Sequence, residues 1–485
     1  MKAIWLLIPI LIPILGGLAT RFINKNDKLR KIVSFSIVLF TSIITIIFSF
    51  FISKDSFTLI PFTDSIRFSL KLDGLGKIFT WMISILWPLS TLYSFEYMEN
   101  EERKNIYNSY YIMTFGIVLG IAFSSNLITM YLFYEALTFI TLPLIQHTMT
   151  KEAKRAGRYN LYFSLSGSSM ALIGLIVLLV SSSSLEFTFG GIASAPLLEA
   201  YLLCFLGFGV KAALFPVCFW LPMAGCAPTP TTALLHAVAV VKAGAFAVMR
   251  ITYYNFSYLL IKGSWVQELY ICLASFTILY GSCMALKEQH FKRRLAYSTI
   301  SNLSYIVLGT VLMSEFSFNA SVLHMLYHSI TKILLFFACG FIIKNTSSHQ
   351  LYVYELNGLG KKMPLLFILF TIGSLSLTGI PLFCGFVSKW ILCMACIEEN
   401  TIFSYIGLTS LLISALLTAI YSLSISIRAF AYPSSNLNIE KFNNAKDANW
   451  KVVLILSVFA ISTIIFGITS SPIINIISSL LGGVS

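Results

Sequence analysis

The sequence contains few charged residues, and acidic residues are scarcer than basic ones. Only 11% of its 485 residues are charged, with 20 Asp and Glu against 33 Lys and Arg, whereas 57% are hydrophobic. The mean hydropathy is +0.84. A water-soluble chain of this length would need far more polar surface to cover the cores of several domains. The composition therefore excludes a water-soluble protein and indicates an integral membrane protein.

Motifs that bind nucleotides, redox cofactors or zinc are also missing. No glycine-rich nucleotide fingerprint is present, and the CxxC pair of Cys393 and Cys396 lacks the second pair that would complete a zinc site. We therefore expect this chain to hold no cofactor and no metal of its own. Its excess positive charge lies in short loops rather than in a basic domain, so nucleic acid is not expected as a partner.

The hydrophobic runs have the length of membrane spans. A helix needs about 20 apolar residues to cross a bilayer, and this criterion predicts about fourteen spans. The alternation typical of a membrane β-barrel is not found, so the fold class predicted is an all-α integral membrane protein. The predicted spans lie near residues 3–20, 31–53, 75–95, 107–124, 126–148, 158–182, 194–220, 229–253, 264–286, 293–313, 318–343, 363–396, 402–430 and 452–470.

Lysine and arginine are distributed unequally between the two sides that these spans define. Loops rich in lysine and arginine stay in the cytoplasm. We therefore predict that the lysine-rich side is cytoplasmic, and that both termini lie on the extracytoplasmic side of the cell membrane. The lysine-rich loops lie at residues 21–31, 103–104, 151–158, 287–294, 344–362 and 428–451.

Two predicted spans, the seventh and the twelfth, are interrupted next to a lysine. Pro216 follows Lys211 in span seven, and Gly379 and Pro381 precede Lys389 in span twelve. Interrupted helices at matching places in two halves of a chain indicate ion sites within an internal repeat. We therefore predict two inverted five-helix repeats, spans 4–8 and 9–13. The predicted units are residues 1–105 (three N-terminal helices), 106–255 and 256–430 (the repeats), and 431–485 (a loop and the last helix).

Ionisable side chains within the predicted spans are few, and each is a candidate functional group. A charge at bilayer depth costs about 2.5–3.5 kcal/mol on insertion scales. Glu135 is the only acid deep within a predicted span, and we predict that it pairs with Lys211. A static ion pair that only fixes helix packing is the alternative interpretation.

Span eleven carries three titratable side chains at intervals of four residues. His324, His328 and Lys332 therefore share one helical face over about 12 Å, which favours a proton pathway with bridging water over isolated contacts between helices. Lys242 in span eight follows His236 by six residues, so these two side chains do not share a face. A lysine in this setting can take up and release a proton as neighbouring charges change. The candidate residues are Glu135, Lys211, Lys242, His328, Lys332 and Lys389, with His236 and His324 as additional members.

Four segments resemble one known family. The longest, GFGVKAALFPVCFWLPMAGCAPTPTTALLHAVAVVKAG at 207–244, is similar to the signature of the antiporter-like subunits of respiratory complex I, Mrp-type cation/proton antiporters and membrane-bound hydrogenases. The segments FYEALTF, LHMLYHSITKILLFF and GIPLFCGFVSKW resemble three further motifs of that family. The resemblance implies a fold of fourteen helices with inverted repeats, broken helices seven and twelve, and a hydrated polar axis across the middle of the membrane.

The resemblance also implies roles for individual residues. Glu135 takes the place of the family's glutamate in span five and Lys211 that of its paired lysine. Lys242 matches the central lysine of span eight and His328 a histidine of span eleven. Lys389 matches the terminal lysine of span twelve, and this residue excludes the branches of the family that carry glutamate there.

The function implied is that of a proton-translocating subunit of a multi-subunit membrane complex. Its expected partners are other membrane subunits, protons and the lipid bilayer, with sodium left open as a second ion. One alternative is a membrane subunit of an NADH:quinone or ferredoxin-linked oxidoreductase or hydrogenase, whose redox centres would lie in partner subunits. A sodium/proton antiporter is the other, although a single deep carboxylate is a poor site for a cation that prefers several oxygen ligands.

Overall fold

A computed structural model describes residues 3–23, 26–52, 55–63, 66–182, 184–346, 351–433, 442 and 445–481. Lys2, Lys25, Lys54 and Lys441, which contribute to the predicted charge asymmetry, lie outside the described residues, as does most of the loop at 433–449. In chain order the helices are α1 (Leu7–Thr20), α2 (Asp27–Phe51), α3 (Gly74–Tyr97), α4 (Lys104–Phe123), α5 (Leu127–Ile145), α6 (Lys151–Ser182), α7 (Leu198–Gly209), α8 (Trp220–Ala224), α9 (Thr229–Ala233), α10 (Val240–Arg250), α11 (Tyr258–Ile261), α12 (Trp265–Lys287), α13 (Phe291–Val311), α14 (Glu315–Asn345), α15 (Pro364–Thr378), α16 (Cys384–Glu399), α17 (Ile402–Ala431), α18 (Trp450–Ile468) and α19 (Ser471–Leu481).

Ten helical segments of the described chain are long and apolar enough to cross a membrane. They coincide with ten of the predicted spans, which confirms the class of a multi-span helical membrane protein. Helices α4 and α13 correspond to two further predicted spans but carry more polar residues. Spans seven and twelve are each divided into shorter helices, so the full number of predicted spans stays a prediction.

A short β-hairpin between α2 and α3 was not predicted. Strand β1 (Phe57–Pro61) pairs with β2 (Arg67–Leu70) in antiparallel fashion, with Phe57 opposite Leu70. The hairpin is attached to the start of α5, where the Asn126 side chain donates to the Arg67 carbonyl at 2.8 Å. Strands of this length depend on such contacts from distant residues, which explains why the local sequence did not indicate them.

Two segments form the centre of the molecule. The segment 229–255, which contains α9 and α10, is 100% buried over its most apolar window, and α14 is 89% buried. The same measure is 33% for α18 and 39% for α6, which therefore lie at the periphery. The candidate lysines and histidines of spans eight and eleven thus lie on the two most enclosed of these ten segments.

The interruption of span seven begins before the proline that predicted it. Helix α7 ends at Gly209, and the chain then turns through residues 210–213, where Ala213 has a φ of +57°. The indole of Trp220 donates to the carbonyl of Val210 at 2.9 Å, and the N–H of Phe215 donates to the Thr277 hydroxyl at 3.2 Å. Backbone groups that the missing helical turn would leave unpaired are therefore satisfied within the protein, as a membrane interior requires.

Span twelve is interrupted at the glycine that the sequence indicated. Helix α15 ends at Thr378, and Gly379 adopts a φ of +92°, in the left-handed region that glycine favours. Its N–H donates to the carbonyls of Leu375 and Ser376, both at 3.1 Å. Helix α16 begins again at Cys384, so the chain crosses this level of the membrane as an irregular loop.

Span eight contains an irregularity that was not predicted. Residues Leu234–Val238 form a π-helix, with the N–H of Ala239 bonded to the carbonyl of Leu234 at 2.9 Å. The segment has no proline or glycine to mark it. Single π-turns of this kind are frequent at functional sites because they change which side chains share a face. His236 lies within this turn, and Lys242 follows on α10.

Gly244 of α10 contacts the interruption of span seven. An added Cβ would collide with the backbone of Lys211 and Ala212, neither of which can move like a side-chain end. We expect Gly244→Ala to destabilise the assembled protein by about 1–3 kcal/mol, the usual cost of overpacking a core. The control is Gly407→Ala, because a Cβ there would meet only the flexible end of Leu308. Thermal melting of the purified variants measures the difference, and equal melting temperatures would contradict the expectation.

Candidate functional site

Lys211 is buried in the interruption of span seven and contacts α5. Its Nζ donates to the backbone carbonyl of Tyr134 and lies 3.4 Å from the centre of the Tyr134 ring. The Tyr134 hydroxyl in turn donates to the carbonyl of Phe208 at 2.9 Å, near the end of α7. The interruption therefore places the ammonium of Lys211 beside the helix that carries Glu135.

Glu135 is half-buried, and Lys211 is its charged neighbour. Within the described residues, however, no ion pair of 4.0 Å or less joins Glu135 to Lys211. The Oε1 atom of Glu135 is enclosed and has no hydrogen-bond partner in the described part of the chain. The structure thus brings the two predicted residues near each other without a salt bridge, because the Lys211 ammonium is directed at Tyr134.

Lys242 and His328 form a direct contact between α10 and α14. The Nζ of Lys242 lies 2.5 Å from Nδ1 of His328, and the two residues are 0% and 3% exposed. They are separated by 86 residues in the sequence, so local spacing contained no information about this hydrogen bond. A lysine and an imidazole in contact can share one proton between them, which makes this pair the centre of the candidate site.

His324 connects this pair to the interruption of span twelve. Its ring centre lies 5.9 Å from that of His328, one helical turn away as the spacing predicts. Its Nδ1 lies 2.9 Å from the hydroxyl of Ser388, the residue before Lys389. The ring of Tyr305 lies 5.4 Å from the His324 ring and 5.3 Å from the Lys389 Nζ, and fills the space between them.

Lys389 is held by the carbonyl end of α15. Its Nζ donates to the carbonyls of Leu377 at 2.6 Å and Thr378 at 3.1 Å. These carbonyls belong to the last turn of α15. Because the helix stops there, they have no intrahelical partners, and they lie at the negative end of the helix dipole. The broken helix therefore supplies the acceptors that a buried ammonium needs.

Lys332 and His236 lie off this row, towards the lysine-rich end of α14. Lys332 donates to the carbonyl of Leu295 at 3.0 Å and to the Ser298 hydroxyl, both on α13. The His236 ring packs against Phe336 at 4.9 Å, and among the described residues neither of its nitrogens has a hydrogen-bond partner. His236 and Lys332 are electrostatic neighbours, and Lys332 is in turn a neighbour of Lys242 and Lys389, so His236 and Lys332 form a branch that joins the row.

A polar cavity of about 380 Å³ opens at the same end, and no sequence pattern predicted it. Lys292, assigned by its position to a basic loop, is only 7% exposed and donates to the carbonyl of Ala227 at 2.5 Å. His290 also lines the cavity, and burial, together with the charge of Arg293, lowers the pKa of His290 below its ordinary value. Lys292 is a further electrostatic neighbour of His236, so the cavity leads towards the branch.

Arg250, near the end of predicted span eight, is a second buried charge. It is 0% exposed at the end of α10 opposite to the lysine-rich loops, and it pairs with Asp73 before α3. Its position two turns beyond Lys242 on an apolar helix was the available signal. Neither Lys292 nor Arg250 belongs to the row that connects the two interruptions.

Interrupted helices that enclose a row of lysine and histidine side chains define the antiporter-like class of membrane proteins. A family model described as NADH:quinone oxidoreductase/Mrp antiporter, transmembrane, matches residues 124–431. The chain belongs to this family.

Curated relatives agree with this assignment. Subunit A1 of the Na(+)/H(+) antiporter from several strains of Staphylococcus aureus is 32% identical to this chain over 343 residues. The alignment covers 67% of this chain and 42% of that protein. The chain therefore spans about two-fifths of the length of the curated relatives it matches.

Solved structures with the same fold confirm the predicted fold class. A chain of the membrane-bound sulfane sulfur reductase, an archaeal respiratory membrane complex, matches with a TM-score of 0.85 and 22% identity, over 99% of this chain and 97% of that chain. A chain of the Mrp complex from Dietzia sp. matches with a TM-score of 0.85 and 19% identity, over 99% and 96%. At these identities the similarity concerns the fold.

The polar cavity can be tested with a cysteine that already lines it. Cys226 is partly exposed in the cavity, whereas Cys218 on the neighbouring turn is buried. In variants that retain one of these cysteines, we expect a water-soluble maleimide to label Cys226 from the lysine-rich side and to leave Cys218 unlabelled. The mass shift of the protein from oriented membrane vesicles measures labelling. Labelling of Cys226 only from the opposite side would contradict the position of the cavity.

Proposed function

We propose that this chain is a proton-translocating, antiporter-like subunit of a multi-subunit membrane complex. The observation that carries the proposal is the enclosed row from the interruption at Lys211, through Lys242, His328 and His324, to the interruption at Lys389. Ionisable groups inside a membrane are costly and mark ion pathways when they face one another. The lysine-rich face is the cytoplasmic one in this proposal, and both termini lie opposite to it.

The first step of the proposed mechanism is a change in the environment of Lys211. Glu135 is near Lys211 and half-buried, so a charge on a partner subunit can act on its carboxylate. When Lys211 exchanges the Tyr134 carbonyl for Glu135, its ammonium is stabilised. When Glu135 is drawn away, Lys211 releases its proton towards Lys242. Helix α10 contacts the interruption at Gly244, and the Lys242 side chain does not take part in this contact. Water must therefore bridge the step from Lys211 to Lys242.

The central step uses the contact between Lys242 and His328. A proton on Lys242 passes to Nδ1 of His328 over the 2.5 Å hydrogen bond, and the ring then donates from its second nitrogen towards His324. His324 reaches the Ser388 hydroxyl and so the helix of Lys389. The carbonyls at the end of α15 stabilise the ammonium form of Lys389 until the proton is released.

Uptake from the cytoplasm is assigned to the polar cavity and the branch. The cavity at Lys292 admits water, and His236 and Lys332 lie between it and the row. Lys332 is one helical turn from His328 on α14, so a proton that reaches Lys332 can enter the row at its centre. The two interruptions at matching places support the proposed inverted repeats, residues 106–255 and 256–430.

A second candidate function is that of a membrane subunit in a redox complex. The observation that favours it is the similarity in fold to a chain of an archaeal respiratory complex. In that case partner subunits perform the electron transfer and this chain conserves the energy through the same row.

Sodium is the weaker choice of ion, because the described residues contain no group of three or more His, Cys, Asp or Glu that could hold a metal ion.

Removing the charges of the predicted pair, Glu135 and Lys211, tests the proposal. We expect Glu135→Gln and Lys211→Met to abolish proton transport by the assembled complex, because neither variant can alternate between a charged and a released state. Lys262→Gln is the matched control, since Lys262 pairs with Glu399 at the surface. Proton movement in everted vesicles and co-purification of the partner subunits are the measurements. Undiminished transport by the Lys211→Met complex would refute the proposed role of Lys211.

The hydroxyl between His324 and Lys389 allows a finer test. Ser388→Ala removes the hydrogen bond to His324 together with a longer one to the Gly385 carbonyl at 3.3 Å. The bond to His324 contributes about 0.5–1.5 kcal/mol, so we expect transport to slow by up to about tenfold without being abolished. Ser374→Ala on α15 is the control, because the Ser374 hydroxyl is buried and has no hydrogen-bond partner among the described residues. Equal rates for the two variants would remove Ser388 from the pathway.

A further inference from the structure

Arg250 is a permanently charged group at the end of the central helix α10. Its guanidinium is fully buried, and Nη2 donates to Oδ1 of Asp73 at 2.6 Å while Nη1 donates to Oδ2. Arginine keeps its proton at every physiological pH, so unlike a buried lysine it cannot pass a proton on. The row from Lys211 to Lys389 does not use it.

Three aromatic rings enclose the same guanidinium. Its central carbon lies 4.9 Å from the ring centres of Phe187 and Phe246 and 4.7 Å from that of Tyr254. Such rings stabilise a cation through their faces. The positive charge is therefore fixed in place, on the inner side of the ion pair.

Asp73 fixes Arg250 from the outer side. Burial by itself would raise the pKa of the Asp73 carboxyl, but Arg250 and the N–H of Gly76, which donates at 2.9 Å, hold this pKa below its ordinary value. The carboxylate is 19% exposed, whereas Arg250 is 0% exposed. The pair is thus oriented, with its positive member facing the interior of the protein.

The segment that contains Gly190 and Ile192 packs over the residues that follow Arg250. The carbonyls of Tyr253 and Asn255 accept hydrogen bonds at 2.9 Å from the N–H groups of Gly190 and Ile192, respectively. The Tyr253 ring stacks on Phe318 at 4.1 Å. The end of α10 opposite to the lysine-rich loops is therefore packed with rings and paired backbone rather than open to water.

Arg250 lies between Lys242 and this end. The two residues are eight positions apart on α10, which corresponds to about 12 Å. Phe246 lies halfway and stacks on Phe79 at 4.6 Å. At about 12 Å and an effective dielectric constant of about 20, a guanidinium alone would lower the occupancy of a second positive charge by about tenfold, and the Asp73 carboxylate on the outer side offsets part of this effect. In channels, a fixed arginine excludes protons by the same repulsion.

We propose that Arg250, positioned by Asp73, is an electrostatic barrier that keeps protons on Lys242 from leaving directly through the end of α10. Protons are thereby directed to His328 and on to Lys389. This inference rests on the proposed function, because a barrier matters only if Lys242 carries protons.

Passive proton leak measures the barrier without turnover. In the full complex reconstituted in proteoliposomes, we expect Asp73→Asn combined with Arg250→Met to raise the decay rate of an imposed pH gradient by between about two- and tenfold over the wild type. The double variant removes both charges and leaves neither partner buried without the other. Adding Lys242→Met should return the leak to the wild-type value, since the leak passes through Lys242.

One single variant keeps both charges and serves as the matched control. Arg250→Lys should stay as tight to protons as the wild type. A leak in this control, a double variant that assembles and stays tight, or a leak that persists without Lys242 would each overturn the barrier. If the double variant fails to assemble, Arg250→Gln replaces it and must leak, because Asp73 is 19% exposed and can remain without a partner. By contrast, continued transport by a Lys242→Met complex would refute the proposed function. The leak measured in the double variant could still be interpreted separately.

Discussion

An ammonium group in the core of a membrane needs hydrogen-bond acceptors, and the arrangement of this protein depends on where those acceptors are found. A continuous helix already pairs its carbonyls with its own N–H groups, so an ammonium can use such a carbonyl only as a shared acceptor. The interruption of span twelve leaves the carbonyls of Leu377 and Thr378 to Lys389. The interruption of span seven carries Lys211 to a carbonyl of α5. The two interruptions therefore position Lys211 and Lys389 at their acceptors, whereas Lys332 shares a carbonyl of the continuous helix α13.

The buried charges fall into two kinds that differ in their partners. Lys242, Lys332 and Lys389 are bonded to an imidazole, a hydroxyl or carbonyls, which are uncharged groups. Such a lysine can lose its proton without leaving an opposite charge alone in the interior. Arg250 is bonded to a carboxylate and enclosed by rings, so its charge is fixed. Lysines of the first kind are suited to proton transfer, whereas the fixed charge of Arg250 is suited to a barrier against protons.

The outline of the fold and part of the site could be predicted from the sequence. Ten of the predicted spans have the length and hydropathy that a span requires, and Gly379 ends α15 where expected. The i, i+4 spacing placed His324 and His328 in neighbouring turns. The π-helix at His236, the hairpin before α3, the burial of Lys292 and the pairing of Arg250 with Asp73 could not be predicted, since each depends on packing against residues far away in the chain.

The sequence by itself determined which side chains are ionisable inside the membrane and on which helices they lie, because hydropathy and helical spacing are properties of neighbouring residues. Tertiary structure alone decided which atom each charge meets. Lys242 and His328 are 86 residues apart, and Lys211 and Tyr134 are 77 apart. The predicted pair of Glu135 and Lys211 lacks a salt bridge for the same reason: a nearby carbonyl of α5, which no local pattern reveals, accepts the hydrogen bond of the ammonium.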